Sequence, residues 1–364
     1  MVNKKMIYDN LIINQKVWNE LEKMVAQKKL PHALLFHGPE GAGKEAHAIE
    51  LAALLNNSHN NSYAKIKKFQ HPNINLIIPM PREKTINKKS NGLDCLSEKS
   101  LSFLIEMKQQ KMKYPYQKVS FDKASSILIN SIRDIKKNSH LSIGSGSVVH
   151  IIFEADKLCQ PRNEPGNALL KILEEPPKNT FFILISTNKD KLLDTILSRS
   201  CDFYFSKLTK EKIQDYYKDS IVKHNIDLLI NLTNSSMKEI NNIIKSDINI
   251  QKLINDAKNI IGTLMKNNDW QNAHKQLEQL FKKDKHSFKI FIEIIIFVLN
   301  DLEKIKNNNY DCLILDNIKK TRNLDYSACI TIIESTYQNL SKNLNPSIGL
   351  ASMLIKMKKI LFKN

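Results

Sequence analysis

The residues best suited to chemistry are the run Gly38-Pro39-Glu40-Gly41-Ala42-Gly43-Lys44. Its glycine spacing and closing lysine are those of a P-loop, whose backbone amides cradle phosphates while the lysine reaches the β and γ oxygens. Gly38, Gly41, Gly43 and Lys44 are therefore the candidate nucleotide contacts, the glycines because they let the backbone approach an anion closely. The next position breaks the pattern. An ATPase places Ser or Thr there to help hold Mg²⁺, whereas this chain has Glu45. A glutamate brings negative charge to the helix start where phosphates belong. The motif reads as a scaffold inherited from an ATPase whose motor chemistry is gone. No cofactor is required on this reading, and ATP bound but not hydrolysed is compatible with it.

The elements around the loop are those it needs. Ala33 to His37 is a short apolar strand leading straight into the glycines, and the alanine- and leucine-rich Lys44 to Asn56 reads as the helix that carries them. Asn14 to Lys28 has helical periodicity through Val17, Leu21, Met24 and Val25. Further strands are expected at Ile74 to Ile78, Val148 to Phe153 and Phe181 to Ser186, with a turn at Ser142 to Ser147. Helices are expected at Lys123 to Lys137 and at Asn167 to Glu175, the latter stopped by Pro176-Pro177. Alternating strands and helices predict an α/β domain with a mostly parallel sheet covered on both faces. Residues 81–117 are lysine-rich and irregular and read as a loop or helical insertion. Beyond Ser206 the strand signals fade: Thr209 to Lys223 and Lys238 to Lys245 suit a small helical lid. From Asn249 onward the pattern is helical, ending in Asn345-Pro346 and an apolar stripe of Leu350, Leu354, Met357 and Leu361. The expected domains are thus 1–206 (α/β), 207–248 (lid) and 249–364 (all-α), and the final stripe suits internal packing and a subunit contact equally.

Composition narrows the classes. With 364 residues the chain is long enough for two or three domains. Its longest apolar run, Ile290 to Leu299, is broken by Glu293 and falls short of the ~20 residues that span a bilayer. The first residues lead into no secretory-type apolar stretch. Five scattered cysteines form no CxxC pair, which argues against a zinc site or a disulfide framework and makes a reducing cytoplasm the default. The net charge of +18 invites a nucleic-acid reading, but only five of the 55 basic residues are arginine. Lysine, asparagine and isoleucine are all abundant, so a solvated lysine surface is the plainer explanation, with non-specific attraction to DNA compatible with it.

Several further runs, taken as a set, are similar to a known family. Leu30-Pro31-His32-Ala33, Glu154-Ala155-Asp156-Lys157-Leu158, Asn167 to Pro177 with its Glu-Glu-Pro-Pro ending, and Thr195-Ile196-Leu197-Ser198-Arg199-Ser200 resemble the bacterial clamp-loader subunits of the AAA+ class. The match is nearest to the delta-prime type of the DNA polymerase III clamp loader and covers roughly residues 30 to 201. The resemblance implies an AAA+ P-loop domain, a lid and a helical collar. It also implies that the strand ending near residue 153 delivers an Asp-Glu pair, the Asp for Mg²⁺ and the Glu for water. This chain has Phe153-Glu154 there, so both protein contacts to Mg²⁺ are missing, and Glu154 reads as a solvated residue at a strand end. Thr187 matches a polar sensor position, with strand capping as its plainer role. Arg199 matches the arginine that reaches a neighbouring subunit's γ-phosphate; an ion pair with a nearby acid such as Asp202 is the plainer alternative. The family's four-cysteine zinc module has no counterpart before His71-Pro72, and residues 157–166 run about three longer than the family pattern.

The resemblance implies a non-hydrolysing, stator-like subunit of the DNA polymerase III clamp loader. Such a chain is not an enzyme alone, although it serves a DNA-directed DNA polymerase holoenzyme. Its partners would be the motor subunits, the delta subunit, the sliding clamp and, through the complex, primed DNA, in the cytoplasm and with no membrane. An active loader ATPase using Glu45 or Glu154 as metal ligand is the alternative, and an unrelated P-loop phosphotransferase leaves the Glu-Glu-Pro-Pro and Ser-Arg runs unexplained.

Overall fold

The computed structural model describes residues 6–56, 62–138, 146–219, 225–246, 248–266, 270–315, 318, 320–340 and 345–362. Five short runs pair into one parallel sheet: β1 (Ala33–His37), β2 (Ile74–Ile77), β3 (Val148–Ile152), β4 (Thr180–Ser186) and β5 (Cys201–Tyr204), in the order β2-β3-β4-β1-β5. β1 pairs with β4 (Leu35 opposite Leu184) and with β5 (Leu35 opposite Asp202), which makes it an inner strand. Alternate side chains feed two apolar layers. Leu34, Phe36, Val149, Ile151, Ile183 and Ile185 enter one, with helices Gln15–Ala26, Lys44–Asn56 and Glu98–Lys113. Leu35, Ile152, Phe182 and Leu184 enter the other, with helices Ile129–Asn138 and Glu164–Glu174. A parallel sheet buried on both faces needs this near-continuous apolar content, and the result is the α/β P-loop architecture expected from the sequence.

Three differences from the sequence expectation have physical causes. β5 was not expected, because it is four residues long and leaves Asp202 and Tyr204 exposed at a sheet edge. The helix expected from Lys123 begins only at Ile129. Before it, Ile127 N–H donates to Lys157 O (3.1 Å) and Lys157 Nζ donates to Ala124 O (2.9 Å), so the segment bonds outward instead of along itself. Glu164–Glu174 starts three residues early, with Pro165 in its first turn. Within residues 81–117, helix Glu98–Lys113 is capped by Ser97, whose hydroxyl accepts from Ser100 N–H (3.3 Å), and buries Leu104, Met107 and Lys111. Residues 142–145 of the expected turn, and residues 57–61 ahead of His71-Pro72, lie outside the described residues.

The chain divides into two compact units, Met1–Lys218 with Ser235–Asn241, and Asp219–Asn234 with Asn242–Asn364. Residues 207–248 are thus shared between them. The second unit is helical: Ile226–Leu232, Ile250–Met265, Trp270–Lys283, Lys285–Lys306, Tyr326–Leu340 and Pro346–Leu361. The apolar run 290–299 lies in the Lys285–Lys306 helix and is mostly buried. Among the described residues no helix is long and apolar enough to cross a membrane. Asn345 caps the last helix by accepting from Ser347 N–H (3.0 Å), and Leu350, Leu354, Met357 and Leu361 are buried within this unit. The buried Asp301 carboxylate accepts from the backbone N–H groups of Leu313 (3.0 Å), Ile314 (2.6 Å) and Leu315 (3.0 Å), fixing the connection to the next helix.

Two histidines of the α/β unit are held neutral. Burial pushes both His47 and His150 from about 6.5 down to about 4, and for His47 the bond to Gly43 O offsets only part of this. Each ring must discard its proton on folding wherever the unfolded chain would carry one. Their contribution to stability is therefore full above about pH 6.5 and lost as pH falls towards about 4. Denaturant unfolding is expected to show stability falling steadily from pH 7 to pH 4.5, by up to about 3 kcal/mol per histidine. His150→Phe should remove about half of that dependence.

Candidate functional site

β1 ends at His37 and the chain turns through the glycines into helix Lys44–Asn56. Gly38 is required at its position: its φ is +133°, and a Cβ there would lie 2.1 Å from Phe205 O. The far end of the loop is pinned by His47, whose Nδ1 donates to Gly43 O (2.8 Å) and whose Nε2 accepts from Asn14 N–H (3.0 Å). Two bonds of opposite sense require the neutral ring that burial enforces. Lys44 turns back on the loop, with Nζ donating to Gly38 O (2.7 Å) and Pro39 O (2.6 Å). Burial draws its ammonium down to about 8, against the opposing pull of Glu45 and Glu40.

Both positions that would hold Mg²⁺ meet at a single lysine. Glu45 accepts from Lys111 Nζ at 2.5 Å, the same nitrogen donates to Pro115 O (2.9 Å), and it lies 5.8 Å from the centre of the Phe153 ring. Lys111 is 1% exposed and comes from helix Glu98–Lys113. Burial lowers its pKa and Glu45 opposes that shift. An ammonium thus bridges the carboxylate standing in place of the P-loop hydroxyl and the ring standing in place of the metal-binding Asp. The donor set does not fit Mg²⁺. Its one carboxylate is already neutralised, the ring offers no oxygen, and a fixed cation repels a divalent one.

The remaining acids are paired in the same way. Glu40 accepts from Lys118 and Lys238, both at 3.1 Å. Burial alone would raise its carboxyl, but the two lysines outweigh that and hold it below the usual range. Glu154 accepts from Lys118 (3.1 Å) and Lys157 (2.9 Å), both at Oε2, while its buried Oε1 has no partner among the described residues. The expectation of a solvated Glu154 is therefore corrected: the residue is in the left-handed region (φ 49°), turned inward and clamped between two cations. Asp156 Oδ1 accepts from the Ser186 hydroxyl (3.1 Å), which also accepts from Asn188 N–H (3.0 Å). Together these groups enclose a cavity of about 60 Å³ lined by four acids and four lysines. Such a space holds a few waters, and its walls carry no net charge.

Of the sequence candidates, Gly41, Gly43, Lys44 and Thr187 line this cavity, and Gly38 contributes its carbonyl to Lys44. Thr187 is exposed one residue past β4 and makes no side-chain hydrogen bond among the described residues. The buried polar contact at that strand end belongs instead to Ser186. Arg199 lies elsewhere, following the short helix Asp194–Leu197. Nη1 donates to Thr195 O (3.1 Å) and Nη2 pairs with Glu174 Oε1 (3.2 Å), with side chains 37% and 46% exposed. Its acid is therefore Glu174 of the Glu-Glu-Pro-Pro run; Asp202 is taken by His37 (3.0 Å). Lys111, Lys118 and Lys238 escaped the sequence reading. The signal for Lys111 was present: it occupies the apolar stripe of its helix, seven residues after Leu104 and four after Met107.

Residues 13–209, just over half of the chain, match the family model described as DNA polymerase III, delta subunit. The DNA polymerase III subunit tau of Bacillus subtilis is 24% identical over 316 residues, covering 81% of this chain and 49% of that protein. The DNA polymerase III subunit delta' of Bacillus subtilis is 26% identical over 236 residues, covering 61% of this chain and 57% of that protein. The chain thus spans about half the length of both relatives. A crystal structure of a DNA polymerase III gamma subunit-related protein from Thermotoga maritima covers 94% of this chain and 99% of its own, at 14% identity and a TM-score of 0.38.

The buried pair makes a direct prediction. Lys111→Met keeps the stem and removes the charge, leaving Glu45 uncompensated, and should cost about 3 kcal/mol or more. Adding Glu45→Gln should recover at least half of that loss. Denaturant titrations of the two variants and the wild type measure both quantities; a Lys111→Met midpoint equal to wild type would show the pair to be unimportant.

Proposed function

Because this chain belongs to the DNA polymerase III delta-subunit family, we propose that it is a clamp-loader subunit of the delta-prime type. On this reading it does not hydrolyse ATP itself and completes a neighbouring motor subunit's site with Arg199. The observation that carries the reading is the Lys111 ammonium held between Glu45 and Phe153. Hydrolysis of a triphosphate needs a metal to neutralise charge on the β and γ oxygens and a carboxylate free to orient water. Glu45 and Glu154 are the two acids an active site could recruit, and each is held by a lysine. Lys44, which would reach a phosphate, is satisfied by its own loop.

Arg199 has the opposite character. It is exposed, lies outside the cavity's lining, and is restrained by a surface ion pair worth about 0–1 kcal/mol. Exchanging Glu174 for a phosphate on another subunit therefore costs little, and a planar, permanently charged guanidinium suits that acceptor. The partners on this reading are the motor subunits and the delta subunit, with the sliding clamp and primed DNA engaged through the assembled ring. The mechanical role is that of a rigid member, since the loop in this chain is braced by side chains and not by a ligand that comes and goes.

The purified chain is expected to show no ATP turnover above background, and Lys44→Ala to leave the ATPase of a reconstituted loader unchanged. Arg199→Ala should preserve assembly by size-exclusion chromatography while reducing turnover at the one site it abuts by about 10³-fold or more. Turnover by the isolated chain that Lys44→Ala abolishes would overturn the non-hydrolysing reading. An unchanged complex rate with Arg199→Ala would overturn the finger.

A further inference from the structure

A second cavity lies beside the edge strand β2, apart from the P-loop and independent of the reading given to it. Its volume is about 140 Å³. His150, on β3, projects into it at 2% exposure, stacked on Phe182 at 5.2 Å between ring centres. Among the described residues both of its ring nitrogens lack a hydrogen-bond partner, as does the buried Ser131 Oγ on helix Ile129–Asn138. Each such atom costs about 1–3 kcal/mol when left unsatisfied, and three of the six buried side-chain atoms without a partner among the described residues line this one cavity, a concentration that requires an explanation. The wall is held close: Gly92 N–H donates to Asp134 Oδ2 (2.8 Å), and a Cβ on Gly92 would fall 2.3 Å from Ser131 Oγ.

The chemistry of the lining selects a ligand. Lys108, from helix Glu98–Lys113, is the only cation among the lining residues. It makes no hydrogen bond or ion pair among the described residues, and burial draws its pKa down with no acid opposing the shift. The lining also holds one carboxylate, Asp134, whose Oδ2 accepts from Gly92 N–H; a half-buried ammonium with no ion-pair partner among the described residues favours an anion. Leu76, Ile78, Met80 and Leu104 supply an apolar stretch of the wall, beside Asn75, Asn91 and Asp134, and that stretch favours a hydrocarbon body over a fully hydrated ion. A neutral imidazole donates one hydrogen bond and accepts another, and the Ser131 hydroxyl does the same. We infer that this cavity is a binding site for a small monocarboxylate, its carboxylate paired with Lys108 and hydrogen-bonded by His150 and Ser131, its short apolar chain against Leu76 and Met80. The space of about 140 Å³ is larger than one water needs and suits a short-chain acid.

The test uses the full chain and butanoate as probe, with inorganic phosphate and butylammonium as the other arms. His150 ring resonances are followed by NMR and assigned from their absence in His150→Phe, or in His150→Gln should the first fail to fold. Butanoate is expected to shift the His150 signals saturably and to raise the thermal midpoint. Lys108→Met should weaken binding on the order of tenfold or more, as loss of one charge-assisted hydrogen bond implies. The histidine variant should abolish binding. His150 signals unmoved by butanoate would leave water as the cavity's content and overturn the site. Phosphate or butylammonium binding as well as butanoate, or an unchanged affinity in Lys108→Met, would overturn the carboxylate assignment.

Discussion

One buried ammonium organises the centre of the α/β unit. Lys111 joins the first turn of the P-loop helix, through Glu45, to the end of β3, through the face of Phe153. A charge at 1% exposure is tolerable only with a close counterion and its remaining protons satisfied, and Glu45 with Pro115 O supplies both. The arrangement constrains its neighbours in turn. Glu98–Lys113 must dock with Lys111 facing inward, Leu104 and Met107 follow it into the apolar layer, and the segment through Pro115 and Tyr116 is fixed over the loop. Tyr116 then accepts Ile12 N–H at 2.9 Å, which ties the start of the chain to the same point.

Around this pair the cavity is balanced charge for charge. Lys118 serves Glu40 and Glu154 together, Lys238 serves Glu40, and Lys44 serves the loop's own carbonyls. A nucleotide-driven site depends on unmatched cations and an open metal position, so that a triphosphate lowers the energy by filling both. Here the side chains satisfy one another. The contrast with Arg199 follows from solvent. Its ion pair is in high dielectric, holds it weakly, and leaves the guanidinium exposed.

Helix Glu98–Lys113 also supplies Lys108 to the cavity beside β2, so one insertion contributes a cation to each of two enclosed spaces. The two lysines differ in what surrounds them. Lys111 meets a carboxylate from its own chain, and Lys108 forms no ion pair among the described residues. Lys111 is also fully enclosed, whereas Lys108 is only half-buried.

Much of the fold was legible in the order of residues. Alternating buried runs gave β1 to β4, Asn14 and Asn345 marked helix starts, and the glycine spacing placed the P-loop between a strand and a helix. The substitutions Glu45 and Phe153 were equally visible, because a missing hydroxyl or carboxylate is a property of one position. What occupied the vacated chemistry was not. Glu45 meets a lysine 66 positions away, Glu154 meets one 36 positions back, and Arg199 turns to an acid 25 positions earlier instead of the nearby Asp202. Local sequence fixes backbone propensity and the identity of each group, both of which act over a few residues. Which charges neutralise which is decided by distance in the folded chain, and only the packing of helix Glu98–Lys113 against the sheet brings Lys111 to that place.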